Sequence, residues 1–247
     1  FFSISAAESA AMDPQQRQLL ERGYAALQDA GASRASLMGS VVGVGIGQWA
    51  SEFSSVLVRT LAAGSGSVYA STAYSCAVTC GRVSFVLGLQ GPCASYDTAC
   101  SASLVALHGG LRALQRLECE SALSAGVNML FDSAAMAGNA VAGFTSVRGR
   151  SHTFDARADG YARGEAIDAI ACHLGDGELG MSVVGSAVRQ DGRSASLTAP
   201  NGQAQQGVLG ASLADALLAA EEVAMLEAHG TGTALGDPIE TGSLVAV

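Results

Sequence analysis

Two stretches of this chain carry side chains able to do covalent chemistry. In Asp97-Thr98-Ala99-Cys100-Ser101-Ala102-Ser103-Leu104 a thiol stands between a strand-like run ending near Tyr96 and a helical pattern. In that pattern Leu104, Leu107, His108 and Leu111 share one face. A helix N-terminus offers unpaired N–H groups and the positive end of the helix dipole, and both favour thiolate over thiol. A free cysteine of pKa ~8.5 is a few per cent ionised at neutral pH, and such a junction can lower the value to ~7 or below. The result would be a nucleophile. The Asp97 carboxylate opposes this, and a free cysteine packed as a small apolar residue fits the same octapeptide. The second stretch is Val223 to Ala228, which reads as a strand delivering His229 into Gly230-Thr231-Gly232-Thr233. An imidazole there, followed by glycines and hydroxyls, suits proton or oxyanion chemistry as well as it suits a structural histidine.

The other histidines are weaker partners for Cys100. His108 lies eight residues along the same helix, a rise of ~12 Å at 1.5 Å per residue, and cannot reach the thiol. His152 and His173 carry no supporting glycine or oxyanion pattern and read as ordinary loop or strand-end histidines. Cys76-x-x-x-Cys80 lacks a second ligand pair at zinc spacing, so no metal is expected. The segment from Thr153 to Glu165 has acids like those of a calcium loop, but Arg157 fills a ligand position and Ala166 stands where the closing glutamate belongs. Arg–carboxylate pairs within that loop are expected instead.

The elements that would position these groups alternate between strand and helix. Asp13 as N-cap, Pro14 as first helical residue and Gln16 as reciprocal capping partner open a helix whose Leu19, Leu20, Tyr24, Leu27 and Ala30 recur at helical spacing, with Gly31 at its end. Val41 to Gly47 reads as a short strand passing into a glycine-rich turn; Gln48 replaces the third glycine of a dinucleotide fingerprint, which argues against that cofactor. Gly64 to Ser67 is a loop, and a helix spans about 70 to 82, with Val83 to Leu89 extending it or forming a separate element. Ser121 to Leu130 is a buried strand, Met181 to Val188 another that runs into an Asp191-Gly192 turn, and Ala211 to Ala220 a helix. Asp237-Pro238-Ile239-Glu240 repeats the N-cap, proline and capping-acid grammar of Asp13. The pattern is that of an α/β protein with largely parallel, covered sheets and reactive groups at strand ends.

Composition narrows the function classes. The 247 residues carry a net charge of −9, which disfavours nucleic acid and anionic membranes as partners. No apolar run approaches the ~20 residues needed to span a bilayer, so no membrane insertion is expected, and no signal peptide is visible. All 13 basic residues are arginine, which removes lysine as a catalytic base. The 6 cysteines form no secretory framework, so a reducing compartment is expected, cytoplasmic or an organelle stroma. The chain opens on Phe1-Phe2, and both ends read as cut from a longer polypeptide.

Taken together, Asp97 to Leu104 and Glu227-Ala228-His229-Gly230-Thr231-Gly232-Thr233 resemble the β-ketoacyl synthase family. Asp13 to Arg17, Phe154 to Tyr161 and Gly236 to Glu240 resemble most the ketosynthase domains of type I polyketide synthases, and the motifs run co-linearly from Phe1 to Val247. The resemblance implies a thiolase-like fold of two similar halves in α-β-α-β-α layers, with residues 1–175 as the nucleophile half and 176–247 as the start of an incomplete second half. It implies that Cys100 takes an acyl chain from the phosphopantetheine arm of an acyl carrier protein. A malonyl-type extender then loses carbon dioxide and condenses with that thioester to a 3-oxoacyl product, as in polyketide or fatty-acid synthesis. His229 matches the family histidine that stabilises the enolate, Thr231 and Thr233 would contact substrate, and the Cys100 N–H would be one oxyanion donor. No bound cofactor is implied; the partners would be acyl carrier protein, acyl and malonyl thioesters and a second copy in a homodimer. A second family histidine and a glycine-rich strand have no counterpart in the chain, so it is expected to be inactive in condensation by itself. Ala102, Ala166, the strand end Ala171-Cys172-His173-Leu174 and a short connection before Val223 depart from the family pattern. A non-condensing acyl-transfer or scaffold domain is the alternative, and a thiolase-type enzyme using coenzyme A is a third reading that the Asp13 and Gly236 motifs disfavour.

Overall fold

The computed structural model describes residues 1–49, 51–62, 66–175 and 181–247, so Gly64 and Ser65 of the expected loop lie outside the described residues. In chain order it contains α1 (Ala6–Ala11), α2 (Pro14–Asp29), α3 (Arg34–Leu37), β1 (Val42–Gln48), α4 (Phe53–Ala62), α5 (Ala70–Ala73) and α6 (Cys76–Leu87). These are followed by β2 (Cys93–Tyr96), α7 (Ala102–Gln115), β3 (Ser121–Asn128), α8 (Ser133–Val141), β4 (Ala166–His173), α9 (Gly202–Ala216) and α10 (Gly236–Val245). The chain divides into two compact units, Phe1–Asp132 with Gly164–Asp176, and Ser133–Arg163 with Gly177–Val247.

The first unit is an α/β layer structure on a sheet of order β2-β1-β3-β4, in which β1 runs parallel to β2 and β3 while β4 runs antiparallel to β3. The sequence of β1, Val-Gly-Val-Gly-Ile-Gly-Gln, explains its place. Because side chains alternate across a strand, Val42, Val44 and Ile46 enter the core that α2 and α6 cover, together with Leu19, Leu20, Leu27, Val83 and Leu87. Each such side chain contributes ~1.5–3 kcal/mol when fully buried. Gly43, Gly45 and Gly47 fall on the other face, where α7 lies. The stretch is therefore strand to its end and fully buried, rather than a strand passing into a turn.

Those glycines let α7 approach the backbone of the sheet. A Cβ at Gly47 would run into the Ser103 nitrogen and the Ala102 carbonyl, and one at Gly45 would meet the Ala106 carbonyl at 3.0 Å. Gly126 of β3 would likewise meet Ser103 Cβ at 2.7 Å. The contact face of α7 is accordingly built from small residues, with Ala102 and Ala106 buried. Leu104, Leu107, His108 and Leu111, which share one face of the helix, do not form it, and Leu104 is 68% exposed. Close approach to the sheet selects small side chains on this face.

Asp13 caps α2 by accepting from the Gln15 N–H at 2.8 Å, with Pro14 at the first helical position. Gln16 is not the reciprocal cap: its amide lies 3.4 Å from Thr79 Oγ1 and accepts from Arg82 at 2.8 Å. Arg82, 9% exposed, also pairs with Glu8 at 2.6 Å. A buried arginine needs such partners, and Gln16 thereby serves the packing of α2 on α6. The expected helix over 70 to 82 is two elements, α5 and α6, and α6 runs on to Leu87, where Gly88 turns left-handed at φ 76°.

In the second unit α9 and α10 pack together; Ser243 Oγ of α10 donates toward Gly202 O at 3.1 Å and Ile239 O at 2.7 Å. Neither Met181–Val188 nor Val223–Ala228 is a strand. A strand exists only against a ladder partner, and among the described residues of this unit none pairs with either. The predicted helix over 211 to 220 instead starts at Gly202, where Asn201 caps the Gln203 and Ala204 N–H groups, and ends at Leu217 in a left-handed conformation. Among the described residues no helix is long and apolar enough to cross a membrane.

Candidate active site

Cys100 sits where β2 hands over to α7, in the middle of a single 3-10 turn, Ala99–Ser101. Ala99 holds φ 53°, a left-handed conformation costing a residue with a Cβ ~1–2 kcal/mol. The turn is held from both sides. Ser101 Oγ donates toward Thr98 O at 3.0 Å and Thr98 Oγ1 at 2.9 Å, and the Ala99 N–H donates to Asp97 Oδ1 at 3.4 Å. With its hydroxyl turned back onto Thr98, Ser101 is an N-cap that makes no side-chain capping bond to α7. The first-turn amides of α7 therefore face the thiol's surroundings without a side-chain cap, which places positive potential at that end of the helix. Cys100 is exposed. Burial pushes the thiols of Cys76, Cys119 and Cys172 up, away from reactivity at neutral pH.

The seat of α7 fixes this turn in space. The contacts at Gly47 and Gly126, near the carboxyl ends of β1 and β3, lie directly under Ala102 and Ser103, and Gly45, midway along β1, lies under Ala106. On the far side of β3, the chain leaving it is tied down by Glu165, which accepts the Leu130 N–H at 2.8 Å, and by Glu52, which accepts those of Phe131 and Asp132 at 2.8 Å each. Gln15 of α2 accepts from the Met129 N–H at 3.1 Å.

The second unit builds the surroundings of His229, Thr231 and Thr233. The backbone turns sharply, with Gly230 at φ 54° and Gly232 at φ 71°. A Cβ at Gly230 would meet Thr153 Cγ2 at 2.6 Å, and one at Gly232 the His152 nitrogen at 3.0 Å. These glycines serve a tight turn packed on residues 152–154. Thr153 Oγ1 donates to Gly230 O at 2.6 Å and the Gly160 N–H to Gly232 O at 3.0 Å.

Two acids of α10, Asp237 in its first turn and Glu240 in its second, hold the same loop. Glu240 accepts the His229 N–H at 2.6 Å through Oε1 and the Gly230 N–H at 2.8 Å through Oε2. Asp237, 5% exposed, accepts the Gly232 N–H at 2.9 Å and the Phe154 N–H at 2.7 Å. Neither caps α10 as the sequence grammar suggested. That task falls to Thr233, whose Oγ1 accepts the Gly236 N–H at 3.0 Å while lying 3.0 Å from Thr231 Oγ1. One proton of this hydroxyl pair joins the two oxygens, and the other can be donated to a ligand acceptor. Glu240 and Asp237 went unread as loop anchors because Asp-Pro-x-Glu also satisfies a helix start; the signal was a glycine loop of required shape just upstream. Of the expected Arg–carboxylate pairs within the 153–165 loop, Arg157 grips Asp155 at 2.8 and 2.9 Å and holds its carboxyl well below the usual carboxylate range, while Asp159 is 3.7 Å from Arg148, which lies outside that segment.

Among the described residues no cluster of three or more histidine, cysteine or acidic side chains could hold a metal ion. Residues 1–171 match the family described as Beta-ketoacyl synthase, N-terminal domain, and residues 181–247 match Beta-ketoacyl synthase, C-terminal domain. The chain is 44% identical, over its whole length, to part of pikromycin polyketide synthase component PikAII of Streptomyces venezuelae, and 45% identical to part of phenolphthiocerol synthesis polyketide synthase type I Pks15/1 of Mycobacterium bovis. It spans 7% and 12% of those proteins. A ketosynthase from module 6 of the bacillaene synthase of Bacillus subtilis 168 superposes with a TM-score of 0.88 at 32% identity, covering all of this chain and 43% of that one. The oxazolomycin ketosynthase domain OzmH KS7 of Streptomyces albus gives 0.90 at 35% identity, covering 99% of this chain and 43% of that one.

Proposed function

The chain belongs to the β-ketoacyl synthase family, as a polyketide synthase ketosynthase with the fold of the thiolase-like domains, and we propose that Cys100 is the nucleophile that accepts its acyl chain. The observation that carries this reading is local: an exposed thiol on a left-handed turn at a helix N-terminus without a side-chain cap, seated on glycine backbone. The thiolate attacks the carbonyl of an acyl thioester borne by the phosphopantetheine arm of an acyl carrier protein. The carrier thiol leaves, and a Cys100 thioester remains. The Cys100 N–H is one donor to the oxyanion formed on the way, with the uncapped α7 terminus adding to its stabilisation.

His229 is the group that hydrogen-bonds the thioester oxygen of a malonyl-type extender and stabilises the enolate left when carbon dioxide departs. Thr231 and Thr233 contribute the remaining hydroxyl proton to the extender's arm. The enolate then attacks the Cys100 thioester and gives a 3-oxoacyl thioester, which makes the parent enzyme a 3-oxoacyl synthase-type acyltransferase. The division of the family domain falls between residues 175 and 176, the intact enzyme is a homodimer, and it works in the cytoplasm with no cofactor of its own.

The test is a stoichiometric one. Mixed with a short acyl N-acetylcysteamine thioester, the chain should release one equivalent of N-acetylcysteamine in a burst, and Cys100→Ala should release less than a tenth of that. An equal burst from Cys100→Ala would remove Cys100 from the nucleophile's role.

A further inference from the structure

The turn that presents Cys100 is held at its ends by β2 and α7, but along its length it is strained and exposed. Ala99 stands at φ 53°, where a Cβ crowds the backbone. None of Ala99, Cys100 and Ser101 is buried, so packing does not fix that conformation. Backbone bonds add little. The Ala102 N–H closes on Ala99 O, but the Ser101 N–H reaches Thr98 O only at 3.4 Å. The Ala99 N–H meets Asp97 Oδ1 at the same long distance. The close contacts across Ala99 belong to one hydroxyl: Ser101 Oγ lies 2.9 Å from Thr98 Oγ1 and 3.0 Å from Thr98 O. This clasp runs from the residue before Ala99 to the residue after Cys100, so it closes around both. A residue in a sparsely populated conformation stays there only when its surroundings over-determine it.

We propose, on the reading of Cys100 as the nucleophile, that Ser101 is a positioning residue for acyl loading. Its hydroxyl holds Ala99 left-handed, and Ala99 in turn sets where Cys100 points its sulfur and its N–H. Ser101 acts through the backbone and not by contact with the acyl group, because its one proton is committed to Thr98. Without the hydroxyl, Ala99 relaxes toward negative φ and the reacting geometry is populated less, which slows loading. Glycine takes positive φ without a steric cost. With glycine at position 99 the clasp has no strain to oppose, and Ser101 becomes dispensable.

The experiment compares the 247-residue chain with Ser101→Ala, Ala99→Gly, the double variant and Ser101→Thr, which keeps the hydroxyl. Both positions are exposed, so circular dichroism should not change. The rate of Cys100 acylation by a short acyl N-acetylcysteamine thioester should fall ~10-fold in Ser101→Ala, since relief of left-handed strain is about one factor of ten in population. Ser101→Thr should stay within threefold. The double variant should load within twofold of Ala99→Gly, so the second substitution rescues the first. An equal loss on Ser101→Ala in both backgrounds, or no loss in either, would overturn the proposal. The Ala99 Cα and Cβ NMR shifts read the turn independently of loading. They should leave the left-handed range in Ser101→Ala and keep it in Ser101→Thr; shifts unmoved by Ser101→Ala would also overturn the proposal. A chain that shows the shift change but never acylates Cys100 would instead overturn the nucleophile reading and, with it, the part of Ser101 in loading.

Discussion

Replacing Glu240 isolates the part of the structure that holds His229. Its carboxylate accepts two backbone N–H groups, at 2.6 and 2.8 Å, from His229 and Gly230. Hydrogen bonds to a charged acceptor contribute ~1.5–3 kcal/mol each. The side chain is half-buried, so water replaces part of what is lost, and about half of the lower figure for the pair, ~1.5 kcal/mol, is the expected cost of Glu240→Ala. A difference of 1.36 kcal/mol is tenfold in an equilibrium constant, so local opening of this loop should become ~10-fold more frequent. Amide hydrogen exchange reads that directly. In Glu240→Ala, exchange at His229 and Gly230 should rise ~10-fold, while Gly232, held by Asp237, rises less and the amides of α7 stay within twofold. Glu240→Gln keeps one acceptor oxygen and turns an NH2 toward the other N–H, so it should fall between. Unchanged exchange at residues 229 and 230, or an equal rise throughout α7, would refute the assignment of Glu240 as the anchor of this loop.

Other predictions follow from the same contacts. Gly47→Ala forces a methyl group into the Ser103 nitrogen and Ala102 carbonyl; denaturant unfolding should show a loss of ~2 kcal/mol or more, whereas Gly81→Ala, with open space around it, should cost nothing measurable. In a ketosynthase that contains this chain whole, His229→Ala should lower carbon dioxide release from a malonyl thioester ~100-fold or more and leave acyl loading of Cys100 within about threefold; equal losses would assign His229 to both steps. The Asp155 carboxyl, depressed by Arg157, should remain ionised in an NMR titration at pH values where other aspartates protonate. As its folded value lies below the unfolded one, any stability it adds is present above the unfolded pKa and lost as pH falls through the folded value. Half-molar salt should move that titration back up, and a salt-independent value would contradict the pairing.

The strands β1, β2 and β3 and the helices α2, α6, α7, α9 and α10 were legible, at least in part, because their patterns are strong, whereas α1, α3, α4 and α8 were not read. Val-Gly-Val-Gly-Ile-Gly reads as a strand; what was not legible is that its glycines are the seat of α7, since nothing in one strand says what lies on its bare face. The same gap left open which face of α7 turns inward: Ala102 and Ala106 are buried and Leu104 is exposed. Residues 181–188 and 223–228 have strand-like composition without a strand's partner, and propensity cannot supply one. Cys100 was placed correctly, at a strand-to-helix junction. For His229 the loop was evident but its anchors were not, because an acid after Asp-Pro satisfies a helix cap and a loop acceptor equally well. Asp237 and Glu240 took the second use, and Thr233 became the cap.

The most direct test of the account is where an acyl group goes. The six cysteines compete for a short acyl N-acetylcysteamine thioester at neutral pH, and peptide mass mapping after seconds reads the partition. The account predicts the adduct on Cys100 in at least ten molecules for each one carrying it elsewhere. An adduct distributed among Cys76, Cys93 and Cys100, or absent from a Cys100 that still alkylates with iodoacetamide, would contradict it.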